Sequence, residues 1–293
     1  MSLFVFGLGY SAMHYVTTRA AGERIAGTVR TAEKAQEVNE AHPDIEALVF
    51  DAPAIDVRIK DRVASATHLL TSIPPSESAD LVLTHFESAI GSAPHLDRIV
   101  YLSTIGVYGD HAGAWIDEDS PIEPNSARNR ARVATEQEWI AFGIRSGKKI
   151  TILRLAGIYG PGRNALLNLR EGKTRRLIKP GQVFNRIHVE DIARAVEAAF
   201  AANAQSGIFN VTDDEPAPPQ DVIAYAAELL GIELPPGIPF ESADLTSMAR
   251  SFYSSNKRVS NRRLKEQLGV TLAYPSYREG LRALAAELLA AAQ

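Results

Sequence analysis

Leu3-Phe4-Val5-Phe6-Gly7-Leu8-Gly9-Tyr10-Ser11-Ala12 decides how this chain folds. Four apolar residues without alternation read as a strand buried on both faces, and the G-x-G-x-x-A turn after them opens a helix whose inner face is Ala12, Met13, Val16 and Ala20. Gly7 permits the tight turn, Gly9 lets the backbone approach a pyrophosphate, and Ala12 lets the helix lie close on the strand, with the helix N-terminus aimed at the anion. Gly7, Gly9, Tyr10, Ser11 and Ala12 are therefore expected to cradle a dinucleotide. Residues 1–18 carry no formal charge with His14 neutral, but Gly7, Gly9, Ser11, His14 and two threonines interrupt them and no basic residue precedes Arg19. That pattern reads as strand, turn and helix rather than a signal peptide or a membrane span.

Further short apolar runs follow at 24–29, 47–50, 68–72, 99–103, 150–155 and 208–211, separated by segments long enough for crossover helices. Such runs are what a parallel sheet covered on both faces requires, so the expected architecture is α/β, a doubly wound parallel sheet. After Gly162 the pattern changes to basic loops, a helix over about 189–202, one more strand and a tail of helices. The helix after Pro218 and Pro219 carries Val222, Tyr225, Ala226, Leu229 and Leu230 on one face and stops at Gly231. Residues 1–162 with about 184–213 are expected to form the nucleotide-binding domain. About 163–183 with 214–293 are expected to form a smaller, mostly helical C-terminal lobe that binds substrate at the carboxyl edge of the sheet.

The composition narrows the function. With 45% apolar and 23% charged residues in 293, disorder and coiled coil are excluded as starting points. Lys and Arg number 31 against 35 Asp and Glu, a net charge of −4 that gives no field for steering nucleic acid. The absence of cysteine rules out disulfides, thiolate metal sites and a thiol nucleophile, and favours a cytoplasmic protein. None of the seven histidines has H-E-x-x-H spacing, so no catalytic metal is expected.

The run at 24–29 ends in Arg30-Thr31, twenty-one positions after Gly9, with no carboxylate there. An Asp or Glu about 20 residues on would bind the ribose 2′-hydroxyl of NAD, whereas an Arg pairs with the 2′-phosphate of NADP. NADP is therefore expected over NAD, with Arg30 as discriminator, Thr31 beside it and Lys34 as a helper one helical turn on.

Several segments together resemble the short-chain dehydrogenase/reductase superfamily, in its extended or atypical NAD(P)-dependent epimerase/dehydratase branch. They are the glycine turn, the stretch from Ile99 through Tyr101-Leu102-Ser103-Thr104 to Tyr108-Gly109, the stretch from Leu153 through Gly157-Ile158-Tyr159-Gly160 to Arg163, and Ile187-His188-Val189-Glu190-Asp191. In detail the chain is similar to the atypical group that includes the bacterial YeeZ-type proteins. The resemblance implies a Rossmann fold in which Asp51 and Ala52 contact the adenine, Ser72, Ile73 and Pro74 line the middle of the cofactor, and Ser103 borders it. Backbone near Gly157 and Ile158 would meet the nicotinamide carboxamide. It also carries the expectation of pairing as a homodimer.

In that family a Ser or Thr ends the fifth strand and a Tyr-x-x-x-Lys pair on the next helix transfers protons. Thr104 matches the first position, but aligning Pro124 to Ala127 and Glu136 with the family's helix places Arg128 at the Tyr and Arg132 at the Lys. A phenol can give and take a proton near neutrality when a cation lowers its pKa; a guanidinium stays protonated and only donates. Arg132 retains the ability to hydrogen-bond a ribose. Four residues apart on one helical face, Arg128 and Arg132 are also placed to clamp an anionic substrate. Tyr108, Tyr159 or a bound water are the expected substitute acids.

Arg163, Asn164 and Arg186, in the basic region after the sixth main strand, are the expected substrate contacts. His188 reads as a framework residue joining the lobes, and Asp191 as a first-turn carboxylate suited to a helix dipole. The sequence thus points to an NADP-binding oxidoreductase or epimerase/dehydratase-like enzyme for a small, anionic or sugar-nucleotide-like substrate. Its rival from another class is an NADP(H)-binding redox sensor without turnover.

Overall fold

A computed structural model describes residues 2–20, 22–52, 54–76 and 79–290. The chain begins with β1 (Ser2–Phe6), α1 (Tyr10–Thr18), β2 (Arg24–Val29), α2 (Ala32–Ala41), β3 (Ile45–Asp51), the short β4 (Ala54–Ile55), α3 (Arg58–Ser65) and β5 (His68–Thr71). It continues through α4 (Leu81–Ser92), β6 (Arg98–Thr104), a 3-10 turn (Ile105–Tyr108), β7 (Trp115–Ile116), α5 (Ala127–Ser146), β8 (Lys149–Leu155) and β9 (Gly157–Tyr159). Then come α6 (Ala165–Arg170), β10 (Arg176–Ile178), β11 (Arg186–His188), α7 (Val189–Phe200), β12 (Gly207–Val211), α8 (Pro219–Leu230) and β13 (Gly237–Pro239). The last elements are α9 (Ser247–Phe252), β14 (Arg258–Val259), α10 (Arg262–Gln267) and α11 (Tyr277–Ala290).

All seven expected runs are strands of one eight-stranded sheet in the order β12-β8-β6-β5-β1-β2-β3-β4. Every pairing is parallel except that of β4 with β3. The chain therefore leaves β1 in both directions, through β2 and β3 on one side and through β5, β6, β8 and β12 on the other. The switch point between β1 and β5 opens a crevice at their carboxyl ends, the place where such sheets take ligands.

Period-two alternation divides β1 between the two layers of the core. Leu3 and Val5 pack with Ala12 and Val16 of α1, Val38 of α2 and Ile192 and Val196 of α7. Phe4 and Phe6 pack on the other face with Val63 of α3, Phe86 of α4 and Trp139 and Phe142 of α5. A third apolar cluster joins α6, α8 and α11 through Leu166, Leu169, Val222, Ala226, Tyr277 and Leu281. This is the helical C-terminal part, tied back to the sheet domain by Asp191, whose carboxylate accepts the backbone N–H groups of Ala273 (2.5 Å) and Tyr274 (3.1 Å).

Local chemistry sets the helix ends. The Ser126 hydroxyl accepts the Asn129 amide to open α5, and Asp80 Oδ1 accepts the Leu83 amide to open α4. Helix α8 stops at Gly231, which takes the left-handed conformation at φ 64°.

Candidate functional site

The glycine turn supplies the floor of the crevice. Gly7 has φ 92°, and a Cβ there would come within 2.9 Å of Ile73 Cγ1 and Ser72 Oγ. Its amide donates to Thr28 Oγ1 (2.9 Å) and its carbonyl accepts the Ser72 hydroxyl (2.6 Å), so the turns after β1 and β5 are locked together. Gly9 stands at the N-terminus of α1, where a Cβ would meet nothing within 4 Å. That open space, above the amides of Tyr10, Ser11 and Ala12 and with no acidic residue in the first turn, fits a pyrophosphate. Ala12 is buried beneath. The Tyr10 hydroxyl donates to the Pro161 carbonyl (2.9 Å), and its ring lies 5.9 Å from the Arg163 guanidinium carbon.

Just past β2, Arg30 is exposed and its guanidinium has no partner among the described residues. Thr31 opens α2, its hydroxyl accepting the Lys34 amide at 3.2 Å. Lys34 turns instead to Glu37, 2.7 Å away on the surface. Asp51 and Ala52 are exposed at the end of β3, and Ile73 and Pro74 follow Ser72 along the rim.

The end of β6 differs from expectation. Thr104 Oγ1 accepts the Gly106 amide (3.0 Å) and caps the 3-10 turn. Ser103 is buried and donates to Glu136 Oε1 at 2.5 Å. Glu136 is also paired with Arg154, whose Nη2 lies 2.7 Å from Oε2. Tyr108, expected as a substitute acid, is fully buried; it accepts from Arg154 Nη1 and donates to Asn210 Oδ1, both at 2.8 Å. Burial pushes its phenol up, against the pull of Arg154. The group belongs to a core network and does not face the crevice. Tyr159 is likewise buried, with its hydroxyl 3.4 Å from the Ser276 carbonyl and its phenol pushed up by burial.

The expected clamp of Arg128 and Arg132 is not formed. Arg128 is exposed without a partner among the described residues, whereas Arg132 is buried, its Nη1 donating to the Tyr101 hydroxyl (2.9 Å) and the Leu102 carbonyl (3.0 Å). Four residues apart on a helix share a face, but at the edge of a sheet one of them enters the core and the other reaches water.

Beyond β8 the crevice continues along β9 and β11, where Arg186 stands in register with Gly157 and Ile187 with Ile158. Arg186 Nη1 donates to the carbonyls of Phe184 (2.9 Å) and Ala217 (3.1 Å). Asn164 caps α6, and Arg163 is exposed at the same rim. Asp213, which sequence reading passed over, lies next to Arg186; burial drives its carboxyl well above the ordinary range while Arg186 pulls it down. Its signal was present as a carboxylate just past a strand's carboxyl end. Among the described residues no group of His, Asp or Glu is placed to hold a metal ion, and no helix is long and apolar enough to cross a membrane.

Residues 59–212 match the model of the NAD dependent epimerase/dehydratase family. The chain belongs to this family. Its members' nicotinamide cofactor fits the glycine turn described above. Among curated relatives it is similar to a 3-diazoavenalumate denitrifying reductase of Streptomyces sp, 26% identical over 90% of this chain and 92% of the relative. It is also similar to protein YeeZ of Escherichia coli K12, 28% identical over 79% and 84% of the two chains, which places it in the atypical extended branch. A solved structure of a functionally unknown conserved protein from Silicibacter pomeroyi DSS superposes with a TM-score of 0.86 at 47% identity, covering 98% of each chain.

Proposed function

We propose that this epimerase/dehydratase-family protein is an NADP-dependent oxidoreductase acting on a small anionic substrate. The observation that carries the coenzyme choice is Arg30, an unpartnered guanidinium at the end of β2 where a carboxylate would select NAD. When bound, the dinucleotide would supply or accept the hydride. The amides of Tyr10, Ser11 and Ala12 hold its pyrophosphate, Arg30 its 2′-phosphate, and Gly157 and Ile158 its carboxamide. Arg128, Arg163 and Arg186 give the crevice the charge that suits an anion. Epimerisation or dehydration of a sugar requires a base to take a hydroxyl proton, which a guanidinium at position 128 cannot do. Reduction needs a proton donor rather than a base, a role that guanidinium does not fill either, and the reductase reading draws on one relative named as a reductase.

Fluorescence titration with NADPH and NADH tests this reading. Wild type is expected to bind NADPH at least tenfold tighter, a difference of about 1.4 kcal/mol. Arg30→Glu is expected to reverse that order, and equal binding of both by wild type ends the claim. The second reading, NADP(H) binding without turnover, draws on the sealed Tyr108. NADPH oxidation against aldehydes, ketoacids and nucleotide-sugars separates the two.

A further inference from the structure

Neither Tyr108 nor Tyr159 is free to act as the acid, yet a buried carboxylate beyond β12 keeps one oxygen without a partner among the described residues. Asp213 follows β12, and its backbone N–H donates to the Arg186 carbonyl at 2.7 Å. Arg186 is in turn in register with Gly157. Adjacent extended segments lie roughly 4.8 Å apart, so Asp213, Arg186 and Gly157 stand side by side at the edge where the nicotinamide end is read.

The Asp213 side chain is 1% exposed. Its Oδ1 accepts the Glu215 amide at 3.3 Å, and its Oδ2 has no partner among the described residues. Leaving a buried polar atom unsatisfied costs about 1–3 kcal/mol, and more when it is charged. A residue kept only for packing would not carry that cost. Arg186 faces it with Nη1 engaged by two carbonyls and with Nε and Nη2 unpartnered among the described residues. The Tyr277 ring closes the other side, 5.9 Å from the guanidinium carbon.

We propose that Asp213, with Arg186 beside it, is the proton donor of this site. The proposal rests on the oxidoreductase reading above. Burial raises the proton affinity of the carboxyl and the neighbouring cation lowers it, the same opposition that tunes a phenol beside an ammonium. Asp214 and Glu215 add repulsion that raises it further, and Tyr159 lies within its field. Oδ2–H gives its proton to the oxygen of a carbonyl acceptor as the acceptor carbon takes up the hydride. The C=O π pair would become the new O–H bond, the product would be an alcohol with the oxidised dinucleotide, and the Asp213 carboxylate, in the field of Arg186, would recover a proton from solvent.

Dicyclohexylcarbodiimide, which attacks protonated carboxyls in water-poor surroundings, tests this without a known substrate. At pH 7 Asp213 is expected to be modified about tenfold faster than exposed Asp214. Saturating NADP is expected to slow that modification by about the same factor, read by peptide mass spectrometry. Asp213→Asn, which removes the reaction, is expected to bind NADPH within about twofold of wild type. Modification no faster than that of Asp214, or indifferent to NADP, overturns the proposal. Failure of NADPH to bind, seen in the fluorescence titration alone, overturns the cofactor reading instead.

Discussion

Tyr108 accepts a hydrogen bond from Arg154 Nη1 at 2.8 Å inside a fully buried chamber. The same guanidinium is paired with Glu136, which also accepts the Ser103 hydroxyl, so one network joins the end of β6, α5 and β8. Through Asn210 it reaches β12 and Glu118, whose Oε1 accepts the Asn210 amide at 2.7 Å. Thr104, the residue after Ser103, is thereby held on a rigid support at the crevice rim.

Tyr108→Phe tests that structural role. The substitution leaves Arg154 Nη1 and Asn210 Oδ1 each short of a partner, and the expected loss is about 1–3 kcal/mol of stability. Urea unfolding measures it, with NADPH affinity unchanged. A variant as stable as wild type whose turnover collapses would return Tyr108 to catalysis.

The sheet was legible because a parallel strand covered on both faces must be apolar throughout, and the glycine turn because its demands are local. Tyr108 was not, since the direction a strand-end phenol takes depends on Arg154 and Asn210, 46 and 102 residues away. Arg132 shows the same limit. Helical spacing placed it with Arg128, but the Tyr101 hydroxyl across the core decides where its guanidinium goes. Asp213 begins an Asp-Asp-Glu run, and only the fold shows that its first member is buried while Asp214 is exposed.

Gly9→Ala separates folding from binding. Gly9 has φ −90°, which any residue adopts, and its Cβ position is empty. Alanine is a poorer N-cap than glycine but narrows the unfolded chain, so stability should change by less than about 1 kcal/mol. The methyl enters the space assigned to the pyrophosphate, and NADPH affinity should fall at least tenfold, about 1.4 kcal/mol. Unchanged affinity in a calorimetric titration would move the pyrophosphate elsewhere.

Acid should weaken the junction at His188. Its Nδ1 accepts the Glu190 amide at 3.1 Å, and its ring packs on Tyr159 and Tyr274. Burial, aided by His14 and opposed by Glu190, lowers its pKa from 6.5 to about 4. The folded state thus binds the proton less readily than the unfolded one. Stability from this residue is complete above pH 6.5 and is lost as pH falls towards 4, by roughly 3 kcal/mol at most. His188→Asn retains an N-cap acceptor but does not titrate, so its melting temperature should fall less than that of wild type between pH 7.5 and 4.5. Parallel falls would assign the acid sensitivity to other groups.

Asp213 predicts the opposite pH dependence. Its folded carboxyl is raised well above the ordinary 3.8, so the unfolded chain ionises first as pH increases. Below 3.8 both states hold the proton and the residue is neutral to stability. Above it the folded state is progressively penalised, until pH passes the raised value and the penalty is complete. Asp213→Asn removes this cost, and at pH 8 the variant should be the more stable by about 1–3 kcal/mol, with the gap closing on acidification towards pH 4. Denaturant melts of both proteins across that range measure it. A variant less stable than wild type at pH 8 would mean that the carboxylate supports the fold, and the reason for regarding it as a group retained for proton transfer would be gone.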